Sequence, residues 1–187
     1  MAESVCPWWM GYLLVSPLRR ALQDPKRILS PHVRAGMTVL EPGPGMGFFT
    51  LDLARLVGPS GRVVAVDMQS RMLDALRRRA ASAGLADRVT TRIAQPGNLG
   101  VSDLAGQADF VLAFAVVHEL PDAGTFFAEA AASLKPGGAL LLAEPTGHVS
   151  ADAFADELRA AAAAGLTMRE QLSIRSSRAA LLINTGD

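Results

Sequence analysis

The segment Val39–Thr50 (VLEPGPGMGFFT) constrains this chain more than any other stretch. It follows a β-branched and aliphatic run and precedes a helical pattern, so it reads as a tight strand-to-helix turn. Glycines at 43, 45 and 47 permit a tight turn and let a ligand approach the main chain closely. The helix that follows presents its N-terminal amides to the same spot. The rest of the chain repeats the alternation that such a turn belongs to. Thr38–Glu41, Arg62–Asp67, Val89–Ile93, Asp109–Ala115 and Ala139–Glu144 read as strands. Between and after them, Phe48–Val57, a segment capped by Ser70 and running to Gly84, Asp122–Ser133, and an alanine-rich segment capped by Ser150 and reaching Gly165 read as helices.

The runs at 62–67, 109–115 and 139–144 are apolar on both faces, as parallel strands covered by helices require. At the end of the chain, Thr167–Ile174 and Ala179–Ile183 are strand-like. The Arg175–Arg178 link between them is too short for a crossover, so they form an antiparallel hairpin at one sheet edge. The expected fold is α/β, a doubly wound, Rossmann-like seven-stranded sheet with a C-terminal antiparallel hairpin. With 187 residues the expectation is a single domain, 1–187, in which a helical cap segment over 1–35, its helix begun by Ser16-Pro17, precedes an α/β core over 36–187.

Two familiar uses of a glycine loop do not fit this one. A phosphate-binding P-loop ends in Gly-Lys-Ser/Thr, and no lysine is present here. A dinucleotide fingerprint needs G-x-G-x-x-G, but position 48 is Phe and the third glycine comes one residue early. Glu41, just ahead of the loop, would repel a pyrophosphate and favour a cationic group. The remaining alternative from the residues alone is an ordinary glycine-rich turn. Asp67, closing the second strand, lies near the roughly 20-residue spacing of a ribose-binding acid.

These residues resemble the class I S-adenosylmethionine-dependent methyltransferases, in particular the type 11-like small-molecule group. The family's first motif, an acidic residue followed by G-x-G-x-G, is matched by Glu41, Gly43, Gly45 and Gly47. The resemblance continues through Asp109–Asp122 (DFVLAFAVVHELPD), through Leu134–Gly138 (LKPGG), and into the terminal hairpin. It implies S-adenosyl-L-methionine as cofactor. The implied cofactor-binding residues are Glu41, Gly43, Pro44, Gly45, Gly47, Asp67, Met68, Ala94, Gln95 and Phe114. Asp67 would accept the ribose hydroxyls, and Met68 would lie against the adenine. Where the family often has Gly-Asp-Ala after the third strand, this chain has Ala94-Gln95-Pro96. The Gln95 amide oxygen can accept the same adenine hydrogen bond, without charge assistance.

His118 follows the fourth strand at its ligand-binding end and is the expected catalytic base for an acceptor that must lose a proton. Glu144 and His148, at the end of the fifth strand and in the loop after it, are expected to touch the acceptor. No metal is expected. His118-Glu119 does not extend to H-E-x-x-H, because position 122 is Asp, and the one cysteine, Cys6, excludes a multi-cysteine site. His32, ahead of the sheet, is read as structural. Arg77-Arg78-Arg79 spreads around its helix and is read as a solvated face.

The 18 basic residues balance 18 acidic ones, which argues against a nucleic-acid partner. No Asn/Asp-Pro-Pro-Tyr/Phe sequence of base-methylating enzymes follows the fourth strand; Phe114-Ala115-Val116-Val117 stands there instead. The apolar stretch Val5–Val15 lacks the preceding positive charge and the cleavage site of a signal peptide, and no other run could span a bilayer. The chain is therefore read as cytoplasmic, with no membrane partner. Only a few residues separate the fifth strand from its helix, so no large lid is inserted there. Completion of the acceptor pocket falls to the N-terminal segment, whose Trp8, Trp9 and Tyr12 suit the wall of a small-molecule site, to the loop 144–150, or to a second chain in a homodimer. The function expected is methyl transfer to a small-molecule acceptor. The alternatives are methylation of protein or RNA, or cofactor binding without catalysis.

Overall fold

The computed structural model describes residues 23–186. The expected Ser16-Pro17 helix and the residues Trp8, Trp9 and Tyr12 lie outside the described residues. A short helix that the sequence pattern did not reveal, α1 (Pro25–Leu29), opens the described chain; Asp24 caps it by accepting from the Lys26 amide at 3.0 Å. The order thereafter is β1 (Thr38–Pro42), α2 (Thr50–Val57), β2 (Arg62–Asp67), α3 (Ser70–Ser82), β3 (Val89–Ile93), β4 (Ala108–Phe114), α4 (Ala123–Ser133), β5 (Leu134–Pro145), α5 (Ala151–Ala163), β6 (Leu166–Ile174) and β7 (Ser177–Asn184).

The seven strands form one sheet in the order β3-β2-β1-β4-β5-β7-β6. The first five are parallel, and β7 pairs antiparallel with both β5 and β6. The C-terminal pair thus adds to the β5 edge with its second strand inward, Glu144 lying opposite Arg178. Successive strand residues feed opposite faces. Val39, Val63, Ala65, Leu112 and Leu141 pack with Leu29, Leu53, Leu73 and Leu76 of α1, α2 and α3. Leu40, Val64, Val66, Val111 and Leu142 pack with Phe126, Phe127 and Phe154 of α4 and α5. Each fully buried side chain of this kind contributes roughly 1.5–3 kcal/mol, so the two covered faces hold the sheet between its helices.

Several boundaries differ from the expectation, each for a local reason. Helix α2 begins at Thr50 rather than Phe48, because Phe48 and Phe49 complete the glycine turn and pack edge to face, 4.9 Å apart. Gln69, not Ser70, occupies the N-cap of α3; the Gln69 amide is held by Asp67 Oδ1 at 2.8 Å. Strand β5 starts five residues early, at Leu134, not Ala139. Ala108 pairs with Leu134 and Phe110 with Ala139, so the Lys135–Gly138 segment is accommodated as an irregularity of the ladder. The hairpin turn is tighter than expected, since β7 already begins at Ser177.

Candidate active site

The parallel order reverses between β1 and β4, and helices leave on opposite faces there. Ligands bind beyond the strand ends at such a switch point. A cleft lies at that place. Its floor is the glycine turn (Gly43 and Gly45), Asp67 and Met68 flank it after β2, and Ala94 and Gln95 flank it after β3. The far wall comes from the end of β4 and the turn to α4, including Ala115, Val116, Glu119 and Asp122. Among the described residues, four carboxylate side chains (Asp67, Glu119, Asp122 and Glu129) line this cleft and no lysine or arginine does, which suits a cationic ligand and opposes a pyrophosphate.

Asp67 is anchored rather than free to swing. Its Oδ1 accepts from Gln69 N–H at 2.8 Å and its Oδ2 from Gly45 N–H at 3.3 Å. Burial raises its pKa, while those amides and that of Met68 oppose the rise. Met68 is 39% exposed, an apolar side chain left open at the cleft edge. Gln95 is exposed, and its backbone pairs with Asn98 in both directions at 3.0 Å, which fixes the turn after β3. Ala115 adopts φ +55°, a conformation that is strained for a non-glycine residue. Its amide donates to Ala143 O at 2.7 Å, turning the chain sharply out of β4 into the cleft wall.

The other sequence-predicted cofactor residues lie beside or beneath the cleft. Pro44 is buried within the turn, between exposed Gly43 and half-buried Gly45. Gly47 faces Leu76 of α3, and Phe114 is buried against Phe49 with ring centroids 4.4 Å apart. Glu41 is 3% exposed, and burial pushes its carboxyl up to about 8. The Thr50 hydroxyl opposes that rise only in part, and neither Glu41 Oε2 nor Thr50 Oγ1 closes a hydrogen bond of ordinary geometry. A buried carboxyl short of a partner behind a cleft of negative character is a site that a cation would satisfy.

Beside the cleft stands a second cluster. Glu144, at the end of β5, is fully buried. Its oxygens turn inward, to two backbone amides and a histidine ring. Oε1 accepts from the amides of Val116 (3.2 Å) and Val117 (2.8 Å), and Oε2 is hydrogen-bonded to His118 Nδ1. This arrangement places the ring proton on Nδ1 and leaves Nε2 as the nitrogen available to a substrate. The hydrogen bond that His118 donates to Glu144 raises the His118 pKa against the opposing effect of burial. His148 is exposed and meets the His118 ring edge to face, with centroids 5.6 Å apart. His32 is remote from both clusters and stacks on Phe110, centroids 6.1 Å apart.

Two contributors and one buried carboxyl were missed from sequence. Arg79 is not simply solvated; its guanidinium is hydrogen-bonded to Met46 O and braces the glycine turn from α3. Ala115 carries no composition signal for its conformation. Glu157 sits 8% exposed on the inner face of α5, and a signal for it did exist: it shares helical spacing with the buried Phe154 and Ala161.

The chain matches the methyltransferase-domain family over residues 33–176. It is 33% identical over 109 residues to an arsenite methyltransferase of Halobacterium salinarum, covering 58% of this chain and 27% of that protein. It is 33% identical over 125 residues to the ubiquinone/menaquinone biosynthesis C-methyltransferase of Hahella chejuensis (65% and 49% covered). A protein-L-isoaspartate O-methyltransferase of Methanothrix thermoacetophila is 32% identical over 120 residues (64% and 52% covered). The chain therefore spans roughly a quarter to a half of the length of these curated relatives. Among solved structures, a SAM-dependent methyltransferase from Aquifex aeolicus superposes with a TM-score of 0.85 at 23% identity, covering 96% of this chain and all of that one. The strand order and the cleft are those of a Rossmann-like domain with a ligand site at its switch point. The chain belongs to the class I S-adenosylmethionine-dependent methyltransferase family.

The residues fit that cofactor. Its sulfonium and ammonium charges match a cleft lined by carboxylates. Gly45 turns toward open space, with no atom within 4 Å of where a Cβ would stand, which leaves the backbone approachable.

Proposed function

We propose that this methyltransferase acts on a small-molecule acceptor, with Asp67 and the glycine turn holding the cofactor and His118 receiving the acceptor's proton. The observation that carries this reading is the adjacency of a cleft with four carboxylates and, among the described residues, no basic lining residue to a histidine whose tautomer is fixed by buried Glu144. Bound S-adenosylmethionine would supply an electrophilic methyl group on a sulfonium. The chain's part is to align the acceptor with it and to take a proton at His118 Nε2, alignment alone being worth several kcal/mol. The arsenite and quinone-pathway relatives support a small acceptor. The connection between β5 and α5, residues 146–150, is too short to form a lid for a large one.

Trp8, Trp9 and Tyr12 are proposed to close the acceptor side. Gln23, the first described residue, bonds through Nε2 to Arg175 O (3.1 Å) and Ser177 Oγ (3.4 Å). That hairpin turn stands beside the C-terminal end of β5, with Thr146 N–H donating to Ser176 O at 3.1 Å. The N-terminal segment thus joins the described chain at the ligand-binding edge of the sheet.

The isoaspartate relative supports a second reading, a protein acceptor. Titration calorimetry with S-adenosylmethionine on wild type and Asp67→Ala tests the cofactor site; unchanged affinity in the variant would reject it. A screen for S-adenosylhomocysteine release across small hydroxyl, thiol and amine acceptors, with an isoaspartyl peptide as a parallel arm, separates the two acceptor classes. Turnover with the peptide alone would replace the small-molecule reading.

A further inference from the structure

Glu129, on the second turn of α4, lines the cleft, yet one of its oxygens is engaged by the protein itself. Oε2 accepts from Leu99 N–H at 2.7 Å, joining α4 to the turn that follows β3. That turn is closed on itself. The amides of Gln95 and Asn98 each donate to the other's carbonyl at 3.0 Å, and Asn98 Oδ1 accepts from Gly100 N–H at 2.6 Å. Gly97 and Gly100 make its bends at φ +71° and +67°. These internal bonds fix the shape of the turn and leave its place in the molecule to other contacts. Leu99 supplies two of them. Its side chain belongs to the same buried apolar cluster as Phe126 and Ala130 of α4, and its amide reaches Glu129. Arg92 meets Gly100 O at 3.4 Å, but its guanidinium is held by both oxygens of Asp103.

Resting on the reading of this cleft as the cofactor site, we infer that Glu129 is a positioning residue for the nucleoside end of the cofactor. It sets the Gln95–Leu99 turn at the place where the turn meets the base. The direction of the ligand follows from the sheet. In the order β3-β2-β1-β4, Asp67 closes β2, the glycine turn follows β1, and His118 follows β4. With the ribose on Asp67 and the methyl group toward His118, the base extends the other way, over the turn after β3. Met68, Ala94, Leu99 and Phe126 line the cleft with apolar side chains, which suit the faces of a flat base. Gln95, exposed in the same turn, carries a carboxamide that can donate to the base edge or accept from it.

A turn with no outside tether must be ordered each time a ligand binds, and that ordering weakens affinity. The bond to Glu129 removes this cost beforehand. It also satisfies a backbone amide that would otherwise lie unpaired beside the apolar wall. The role demands an acceptor oxygen at this position rather than a negative charge, so a glutamine can serve. Asp122, the other α4 carboxylate at the cleft, is already the helix cap. It accepts from Gly124 N–H at 2.9 Å and from the Thr125 hydroxyl, and so does not take over at Leu99.

The test uses the full chain and 5′-methylthioadenosine, a neutral nucleoside without the amino-acid tail. Attraction between the Glu129 charge and a sulfonium therefore does not enter. Its affinity is measured by calorimetric competition against S-adenosylmethionine in the wild type, Glu129→Ala and Glu129→Gln. Exchange of the Leu99 amide is followed by NMR without ligand. Glu129→Ala is expected to weaken the nucleoside by at least about fivefold, the loss of one well-placed hydrogen bond. Its Leu99 amide should exchange at least about tenfold faster while the amides of β5 keep their protection. Glu129→Gln should stay within about twofold of wild type in both measurements. Wild-type nucleoside affinity in Glu129→Ala overturns the inference. So does a Glu129→Gln as weak as Glu129→Ala, which would make charge the cause, and so does faster exchange spread over β5, which would assign the loss to the fold as a whole. A wild type that binds S-adenosylmethionine but not the nucleoside overturns it too. An S-adenosylmethionine affinity unchanged by Asp67→Ala is a separate failure, and rejects the cofactor site itself.

Discussion

Gly45 and Gly47 stand two residues apart in one turn and answer to different demands. Both have positive φ, +54° and +85°. A Cβ at Gly47 would come within 2.4 Å of Leu76 Cδ1, whereas one at Gly45 would meet nothing within 4 Å. Gly47→Ala therefore carries backbone strain and overpacking together and should cost about 2–4 kcal/mol in urea unfolding. Gly45→Ala carries only the strain, about 1 kcal/mol, yet it places a methyl where the cofactor must approach. It should weaken S-adenosylmethionine binding in calorimetry by at least about tenfold, roughly 1.4 kcal/mol. Equal binding defects in the two variants would show that both act through folding. Sequence spacing displayed three equivalent glycines, because the neighbour that separates them, Leu76, comes from another element. For the same reason the reach of Asp67 to the cleft was legible, while the inward turn of Glu144 was not: the amides of Val116 and Val117 and the His118 ring, brought over by the end of β4, decide where its oxygens point.

At the scale of elements, helix α5 bears on the fold through one face, which packs Phe154 and Ala161 into the core and also carries Glu157. Its start depends on Ser150, whose Oγ accepts from Ala153 N–H at 3.1 Å. Ser150→Ala should lower stability by about 1 kcal/mol, seen as a lower urea midpoint at unchanged slope, and Ser150→Asp should restore it. The order and type of the strands and the helices at 50–57, 70–82, 123–133 and 151–163 were legible, because each strand covered on both faces is continuously apolar and each of those helices has a stop or cap. What failed were features decided between elements. The five residues added to the front of β5 depend on a bulged pairing with Ala108, and the Gln69 cap of α3 on a carboxylate two residues earlier. Helix α1, five residues long, is below the length at which periodicity speaks.

Taken whole, the molecule gathers raised pKa values at the C-terminal edge of its sheet, and this sets an unusual response to pH. Glu41 (about 8) and Glu157 (about 7) hold protons more tightly folded than unfolded, and Asp67 and His118 are raised as well. Between about pH 5 and 8 the native state thus binds more protons than the unfolded state, so stability should fall as pH rises through that window and level off above it. His32, lowered by burial, opposes the trend only around its ordinary range. Urea midpoints measured at pH 5.5 and 8 check the sign, and Glu41→Gln should flatten the slope; a rise in stability over that interval would contradict it. Gln23, the first described residue, bonds to the hairpin turn at the same edge, and the two tryptophans of the whole chain, Trp8 and Trp9, precede it in sequence. Tryptophan emission is therefore a direct reporter of the N-terminal segment. If the segment walls the acceptor side, an acceptor should shift that emission while S-adenosylmethionine alone leaves it nearly unchanged. Deleting residues 1–15 should then leave cofactor affinity within about threefold, below roughly 0.7 kcal/mol, because Asp67 and the glycine turn, which hold the cofactor in this reading, remain. Acceptor turnover should drop by at least about tenfold, the loss expected when one wall that positions a small substrate is removed. Equal turnover in the truncated chain would reassign the acceptor wall to the loop 144–150 or to a second copy.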